Sequence, residues 1–131
     1  MSEQTLYQRL GGYDAIAAAT DDLLERLLND PQLKDYWKGK SEDSLRKDRQ
    51  LIVDFLASAA GGPAFYTGRD MKLVHTGLGI SERDWELFLD HTRAMLSHFE
   101  VPPREQGEVL DFLIGLKGDV VQPQPVTIGV A

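Results

Sequence analysis

The sequence contains no cysteine. Disulfide bonds, thiolate catalysis and zinc sites with thiolate ligands are therefore excluded together. Basic residues are also scarce, because 14 lysines and arginines stand against 21 aspartates and glutamates, which gives a formal net charge of −7. A chain with this charge is a poor partner for nucleic acid or for an anionic membrane surface.

Long apolar runs are missing as well. Polar and charged residues interrupt each apolar stretch before it reaches the ~18 residues that a membrane-spanning helix needs. The first residues, Met1 to Gln4, have neither the basic nor the apolar character of a secretion signal. We therefore expect a cytoplasmic protein that does not bind membranes, with a monomer as its expected state.

At 131 residues, of which 42% are hydrophobic, the chain is long enough to bury the core of one domain. Apolar residues recur with helical spacing nearly throughout, and no pair of strands with hairpin chemistry appears. The pattern predicts an all-α domain over residues 1–120, followed by a flexible tail over residues 121–131.

The turn residues predict where individual helices begin and end. Glycine pairs at 11–12 and 61–62 end helices, and Pro31 stops another because the residue before proline is biased out of helical geometry. Ser41, Asp70 and Ser81 are the expected N-caps. The predicted helices cover about residues 5–10, 13–29, 32–37, 41–60, 70–76, 81–99 and 104–116.

The stretch from Gly61 to Ile80 spends about twenty residues on one short helical turn, and long loops in a small domain usually serve a site. That turn presents His75 among aliphatic side chains. A neutral imidazole in such surroundings is either a packed, hydrogen-bonded core group or a ligand to a bound group. The residues alone leave both interpretations open.

Several strings, in this order, resemble the truncated haemoglobins of group I: LYQRLGG at 6–12, GGP at 61–63, YTGRDMKLVH at 66–75 and GLGI at 77–80. The resemblance runs from about residue 5 to about residue 116. It implies a two-over-two sandwich of helices around haem b (iron protoporphyrin IX), held without a covalent bond since no cysteine could tether it. It also implies that His75 is the axial ligand of the haem iron.

The same resemblance assigns further residues to the haem site. Tyr66, Arg69 and Lys72 fall where relatives meet the haem propionates, and cationic and hydroxyl side chains suit those carboxylates. Met71 falls against the porphyrin face, and Trp37 falls where relatives wedge the haem with a phenylalanine.

Two more aromatic residues, Phe55 and Phe88, are expected to line the haem, although helical core packing explains them equally well. On the distal side the sequence departs from the family pattern. Relatives carry a tyrosine on the second helix and a glutamine on the fourth, and here Leu24 and Ile52 take those two places. Asp48 falls at a second position where relatives carry glutamine.

The aliphatic pair has a chemical consequence. A hydrogen bond to an oxygen ligand, which carries partial negative charge, contributes ~1.5–3 kcal/mol, so its loss should speed oxygen release roughly ten- to a hundredfold. Carbon monoxide depends less on a donor and should be favoured relative to oxygen. Arg49 or Gln50 could replace the missing donor only by swinging inward from the edge of the apolar stripe.

The resemblance thus implies a haem protein that reversibly binds O2, CO and NO, with a reductase as a further candidate partner. Two alternatives stay open. The same haem could serve an enzyme that converts NO with O2 to nitrate, or that reduces nitrite or peroxide. The chain could also be a haem-free helical interaction module, and the purified protein would then be colourless.

The remaining polar residues have simpler interpretations. His91 and His98 are seven residues apart, about 10 Å along one helix, so they cannot chelate one ion and are expected to face solvent or cap the helix. The resemblance also places His91 where relatives often carry a histidine, which implies a packing role. The carboxylate pairs Asp84 with Glu86 and Glu105 with Glu108 are expected to form solvated helix faces.

Overall fold

The computed structural model describes residues 4–68 and 70–121, and within these ranges it contains helices and turns but no strand. The helices are α1 Leu6–Leu10, α2 Tyr13–Leu28, α3 Glu42–Ala59, α4 Met71–His75, α5 Glu82–His98, α6 Pro103–Ile114 and α7 Lys117–Val120, and a 3₁₀ turn covers Lys34–Trp37. The all-α prediction is confirmed. None of the described helices combines the length and the apolar character that a bilayer crossing requires.

The C-terminal part of the chain contains one short helix in addition to the predicted ones. The short helix α7 was not predicted, because its four residues are too few to show a periodicity and include Gly118. The tail prediction lies outside the described residues from position 122 onward, so it stays a prediction.

The helix starts follow the expected capping chemistry. The side chain of Ser41 accepts a hydrogen bond from the backbone of Ser44 (3.1 Å), and that of Asp70 accepts one from the backbone of Lys72 (2.9 Å). Ser81 and Asp84 form a reciprocal capping box at the start of α5. These side chains satisfy backbone N–H groups that have no partner inside the helix, so the three predicted N-caps are confirmed.

The helices form two packed pairs. Helix α2 packs against α3, α5 packs against α6, and contacts between α2 and α5 join the pairs into two layers. The buried residues of α2 recur at helical spacing on one face, which explains why this helix sits at the centre: Ile16, Thr20, Leu23 and Leu27. The largest buried cluster lies between the two layers and consists of Leu23, Leu27, Leu33, Met95 and Leu96.

An ion-pair cluster ties the first helix to the sixth. The guanidinium of Arg9 donates from Nη1 to Glu105 (2.8 Å) and from Nη2 to Glu108 (2.9 Å). Hydrogen bonds from Arg9 hold the pKa of Glu108 below its usual range. Glu105 is only 8% exposed. The expectation that this carboxylate pair forms a solvated face was therefore wrong, because Arg9, far away in sequence, packs against it.

Helix α1 is also seated on the end of α3. The backbone N–H of Tyr7 donates to the carbonyl of Ala60 (2.8 Å). A Cβ atom built on Gly62 would lie 2.4 Å from Cδ2 of the Tyr7 ring, which is closer than any real contact. Gly61, with a φ angle of 93°, thus allows the chain to leave α3, and Gly62 is needed for the close approach of an aromatic ring.

Replacing Gly62 by alanine should therefore lower the free energy of unfolding by about 1–3 kcal/mol, since the added methyl group displaces the Tyr7 ring. Gly107 on α6 provides the control, because a Cβ atom there meets open space. Gly107→Ala should raise stability by about 0.5–1 kcal/mol through helix propensity. Urea denaturation measures the change in the free energy of unfolding for both variants. A neutral or stabilising Gly62→Ala would contradict the packing described.

Candidate functional site

His75 is the last residue of α4, and its ring orientation is set by its own helix. The ring atom Nδ1 lies 2.7 Å from the carbonyl oxygen of Met71, one turn earlier. A carbonyl oxygen can only accept, so Nδ1 carries the proton and the neutral ring has its lone pair on Nε2. A histidine in this tautomer, oriented through its other nitrogen, is arranged as metal-binding histidines usually are.

The surroundings of α4 are apolar and incompletely covered by the chain. Leu73 of α4 is 65% exposed although it is a large hydrophobic residue. Val74 and Leu78, on either side of His75, are exposed as well. Apolar surface gathered around one half-buried imidazole is expected where a bound apolar group completes the packing.

Three of the predicted site residues come together on the central core. Leu24 of α2, Trp37 of the 3₁₀ turn and Phe88 of α5 all pack, partly buried, against the same cluster of leucines and methionine. They come from three elements that are distant in the sequence. The structure thus packs one aliphatic and two aromatic residues of the predicted site against the same hydrophobic cluster.

Two others meet on α3 and in the loop that follows it. The rings of Phe55 and Tyr66 are 5.2 Å apart in an edge-to-face arrangement, and Phe112 of α6 lies 5.8 Å from Phe55. Burial raises the pKa of the Tyr66 hydroxyl, and the negative charge of Asp70 adds to this effect. Tyr66 is therefore a neutral hydrogen-bonding group at physiological pH.

The remaining predicted residues are more dispersed. Met71 is half-buried on α4, whereas Lys72 beside it is exposed. Ile52 is half-buried on α3, one turn before Phe55 and on the same face of that helix. Arg69 lies outside the described residues, so its predicted contact with a propionate stays a prediction.

The polar side chains of α3 that could replace the missing distal donor have partners elsewhere. Arg49 donates from Nε to Asp21 of α2 (2.6 Å). The exposed side chain of Gln50 donates to the hydroxyl of Tyr13 (2.5 Å) and to Asp54 (3.1 Å). In this conformation both are engaged at the α2–α3 surface.

Asp48 does not act as a distal group here either, because its carboxylate pairs with Lys40 in the preceding loop (2.5 Å). The predicted distal positions are thus occupied by the half-buried aliphatic residues Leu24 and Ile52.

A buried hydrogen-bond cluster at the start of α5 was missed by sequence reasoning. Asp84, only 4% exposed, accepts from the hydroxyl of Tyr36 and from the side chain of Gln32 (2.9 Å). Burial disfavours ionisation of Asp84, but these bonds and those from Ser81 outweigh it and hold its pKa below the usual value. Burial and the same carboxylate raise the pKa of Tyr36 to about 12. Asp84 was expected on a solvated face, and that expectation was wrong.

His91 was expected to face solvent or cap a helix, with packing as the role that the resemblance implied, and its partly exposed ring is bonded to the turn after α2. Its Nε2 donates to Asp30 Oδ2 (2.6 Å), and Asp30 also accepts from the backbone of Gln32 and Leu33. These hydrogen bonds, led by that from His91, hold the pKa of Asp30 below its ordinary value of 3.8. The Asp-Pro turn after α2 is therefore anchored to the middle of α5.

Comparison with known proteins agrees with this geometry. A sequence profile of the bacterial-like globin family matches residues 5–122. The group 1 truncated haemoglobin GlbN of Mycolicibacterium paratuberculosis is 34% identical over 116 residues, which cover 88% of this chain and 83% of the relative.

Solved structures give the same result. The Fe(III) form of the truncated haemoglobin of Tetrahymena pyriformis superimposes with a TM-score of 0.83 at 25% identity, covering 92% of this chain and 100% of that one. The two-over-two haemoglobin of Synechococcus, which has covalently attached haem, superimposes with a TM-score of 0.82 at 22% identity, covering 90% and 98%. The family match and the superposed fold thus define a haem-binding globin. The chain belongs to the group 1 truncated haemoglobins.

The donor set of this chain fits the haem that the family implies. Within residues 4–68 and 70–121, no group of three or more His, Asp or Glu side chains could hold a metal ion by itself. Haem iron needs only an axial ligand from the protein, because the porphyrin supplies the equatorial nitrogens. His75 with its lone pair on Nε2, and the uncovered apolar side chains beside it, match that requirement.

The Asp30 anchor predicts how stability depends on pH. Because the pKa of Asp30 is lower in the folded state, the unfolded state takes up protons first as the pH falls through about 4. The stabilisation is present above that pH and is lost below it. Asp30→Asn should destabilise the protein at neutral pH, and its deficit in unfolding free energy should shrink as the pH falls below about 4. Urea denaturation at several pH values measures this, and a deficit independent of pH would contradict the assignment.

Proposed function

We propose that this chain reversibly binds diatomic gases through a non-covalent haem b whose iron is ligated by His75. When bound, haem supplies an iron atom with a coordination position open to O2, CO or NO. The observation that supports the proposal most is the hydrogen bond between His75 Nδ1 and the Met71 carbonyl, which fixes the tautomer and the direction of the ring.

The proposed site has two unlike sides. On the proximal side, His75 acts as a strong neutral ligand because its Nδ1–H donates a hydrogen bond to the carbonyl of Met71. On the other side, the family positions for a hydrogen-bond donor carry Leu24 and Ile52, while Arg49 and Gln50 are bound to other residues. We infer that oxygen is held weakly, with CO favoured relative to it.

This asymmetry favours binding over the enzymatic alternative. Dioxygenation of NO requires oxygen to be retained until NO arrives, and a pocket without a donor shortens that time. Nitrate yield from the oxygenated ferrous protein mixed with NO distinguishes the two functions. If nearly all of the NO supplied is converted to nitrate over many turnovers, with a reductase present, the enzymatic function would be favoured.

His75→Ala should abolish stable haem retention, since the substitution removes the proposed axial ligand. Any haem that is retained should change its absorption spectrum when imidazole is added. The measurement is the visible absorption spectrum of purified ferrous protein after gel filtration. His98→Ala is the matched control, because His98 ends α5 and its ring contacts that of Phe99 edge to face. The spectrum of this variant should be that of the wild type. An unchanged spectrum in His75→Ala would refute the axial assignment.

Leu24→Tyr should slow oxygen dissociation about tenfold, because the added hydroxyl can donate a hydrogen bond to the ligand. Stopped-flow measurement of oxygen release from the ferrous protein gives the rate. Leu24→Phe separates the hydroxyl from the ring, and its rate should stay near that of the wild type. If tyrosine has no effect, Leu24 does not face the ligand; if both variants slow release equally, steric confinement rather than a hydrogen bond is responsible.

A further inference from the structure

We propose that Tyr36 and Asp84 are positioning residues that join the 3₁₀ turn carrying Trp37 to the loop that follows His75, and that their hydrogen bond slows haem loss. This inference rests on the proposed function, since it assigns haem to the space beside His75. It concerns residues that were not assigned to the site by the sequence.

The hydrogen bond is charge-assisted and sits in a buried network. The hydroxyl of Tyr36 donates to Asp84 Oδ2, while Gln32 donates to Oδ1 (2.9 Å) and the backbone of Ser81 donates to Oδ2 (3.2 Å). The Tyr36 hydroxyl also lies 3.4 Å from the carbonyl of Gly79. One carboxylate therefore holds the 3₁₀ turn, the end of the loop and the start of α5 together.

This network is connected to the proposed haem site at both ends. Trp37 is adjacent to Tyr36, and their rings are perpendicular with centroids 6.5 Å apart. At the other end, the loop from Thr76 to Ile80 connects His75 directly to the capping box of α5. Loss of the Tyr36 contact would therefore loosen Trp37, which is predicted to wedge the haem. It would also loosen the loop that follows His75, the proposed haem ligand.

Side-chain packing does little to hold that loop. Gly77 and Gly79 have positive φ angles of 86° and 72°, and a Cβ atom at either would meet nothing within 4 Å. Leu78 between them is 45% exposed. The polar contacts of Tyr36 with Gly79 and of Asp84 with Ser81 therefore help to fix the loop and its end.

The two ends of the 3₁₀ turn are anchored separately. His91 binds Asp30 before the turn, and Tyr36 binds Asp84 within it. Removing the Tyr36 hydroxyl therefore leaves the first anchor intact. For this reason we expect Tyr36→Phe to loosen the site locally rather than to unfold the domain.

The test is the rate at which haem-loaded protein gives up haem to an excess of apomyoglobin. Tyr36→Phe should raise this rate by roughly tenfold or more, as expected for losing one hydrogen bond to a charged group. Tyr13→Phe is the matched control: its hydroxyl also bonds to side chains, those of Gln50 and Asp54, but on the α2–α3 surface. That variant should lose haem at the wild-type rate. Equal haem loss in the two variants would overturn the proposal.

Two further measurements isolate the bond itself. In an Asp84→Ala background, adding Tyr36→Phe should change haem loss by less than about twofold, because the partner is already gone. Hydrogen exchange on the haem-free protein should show faster exchange of residues 34–37 and 76–81 in Tyr36→Phe than in Tyr13→Phe. Additive haem-loss effects, or unchanged exchange, would contradict the positioning role.

The haem-loss and hydrogen-exchange experiments also separate this proposal from the proposed function. If the wild-type protein takes up no haem, the proposed function fails, and hydrogen exchange still decides whether the Tyr36–Asp84 bond orders the loop. If haem is retained through His75 but Tyr36→Phe and Tyr13→Phe behave alike, only the positioning role fails.

Discussion

The hydrogen bond between the His75 ring and the Met71 carbonyl is the interaction on which the interpretation of this molecule depends. It lies within one turn of α4, it is 2.7 Å long, and it leaves the lone pair of a neutral imidazole on Nε2. With the proton on Nε2 instead, that nitrogen would have no lone pair to offer a metal, so the hydrogen bond to Met71 selects the nitrogen that can act as a ligand. Much of the surrounding fold serves to hold that short helix in place.

Helix α4 is too short to be stable on its own, because five residues complete little more than one turn. Asp70 caps its start, α7 packs against it, and the loop behind it is tied to α5 through Ser81 and Asp84. The larger helices form the two-layer frame around it. A weakly self-stabilised helix that depends on its neighbours suits a site that must open to admit a large flat cofactor and close once it is bound.

Local signals in the sequence were sufficient for the described helices other than α7. Caps such as Ser41 and Ser81 act within three residues, so the pattern contains the information that positions them. The family strings then singled out His75. The pairs Arg9–Glu105, Tyr36–Asp84 and His91–Asp30 join residues 48 to 96 positions apart. No local pattern indicates such partners, because only the packed helices bring them together. That is why buried carboxylates were predicted to be solvated.

Resonance Raman spectroscopy of the ferrous, ligand-free protein tests the central claim most directly. The account predicts an iron–histidine stretching band that shifts to lower frequency when the histidines carry ¹⁵N and that is retained in His91→Ala and His98→Ala. Absence of the band, or a band that disappears with either of those two histidines, would contradict the assignment of His75 as the residue that holds the haem iron.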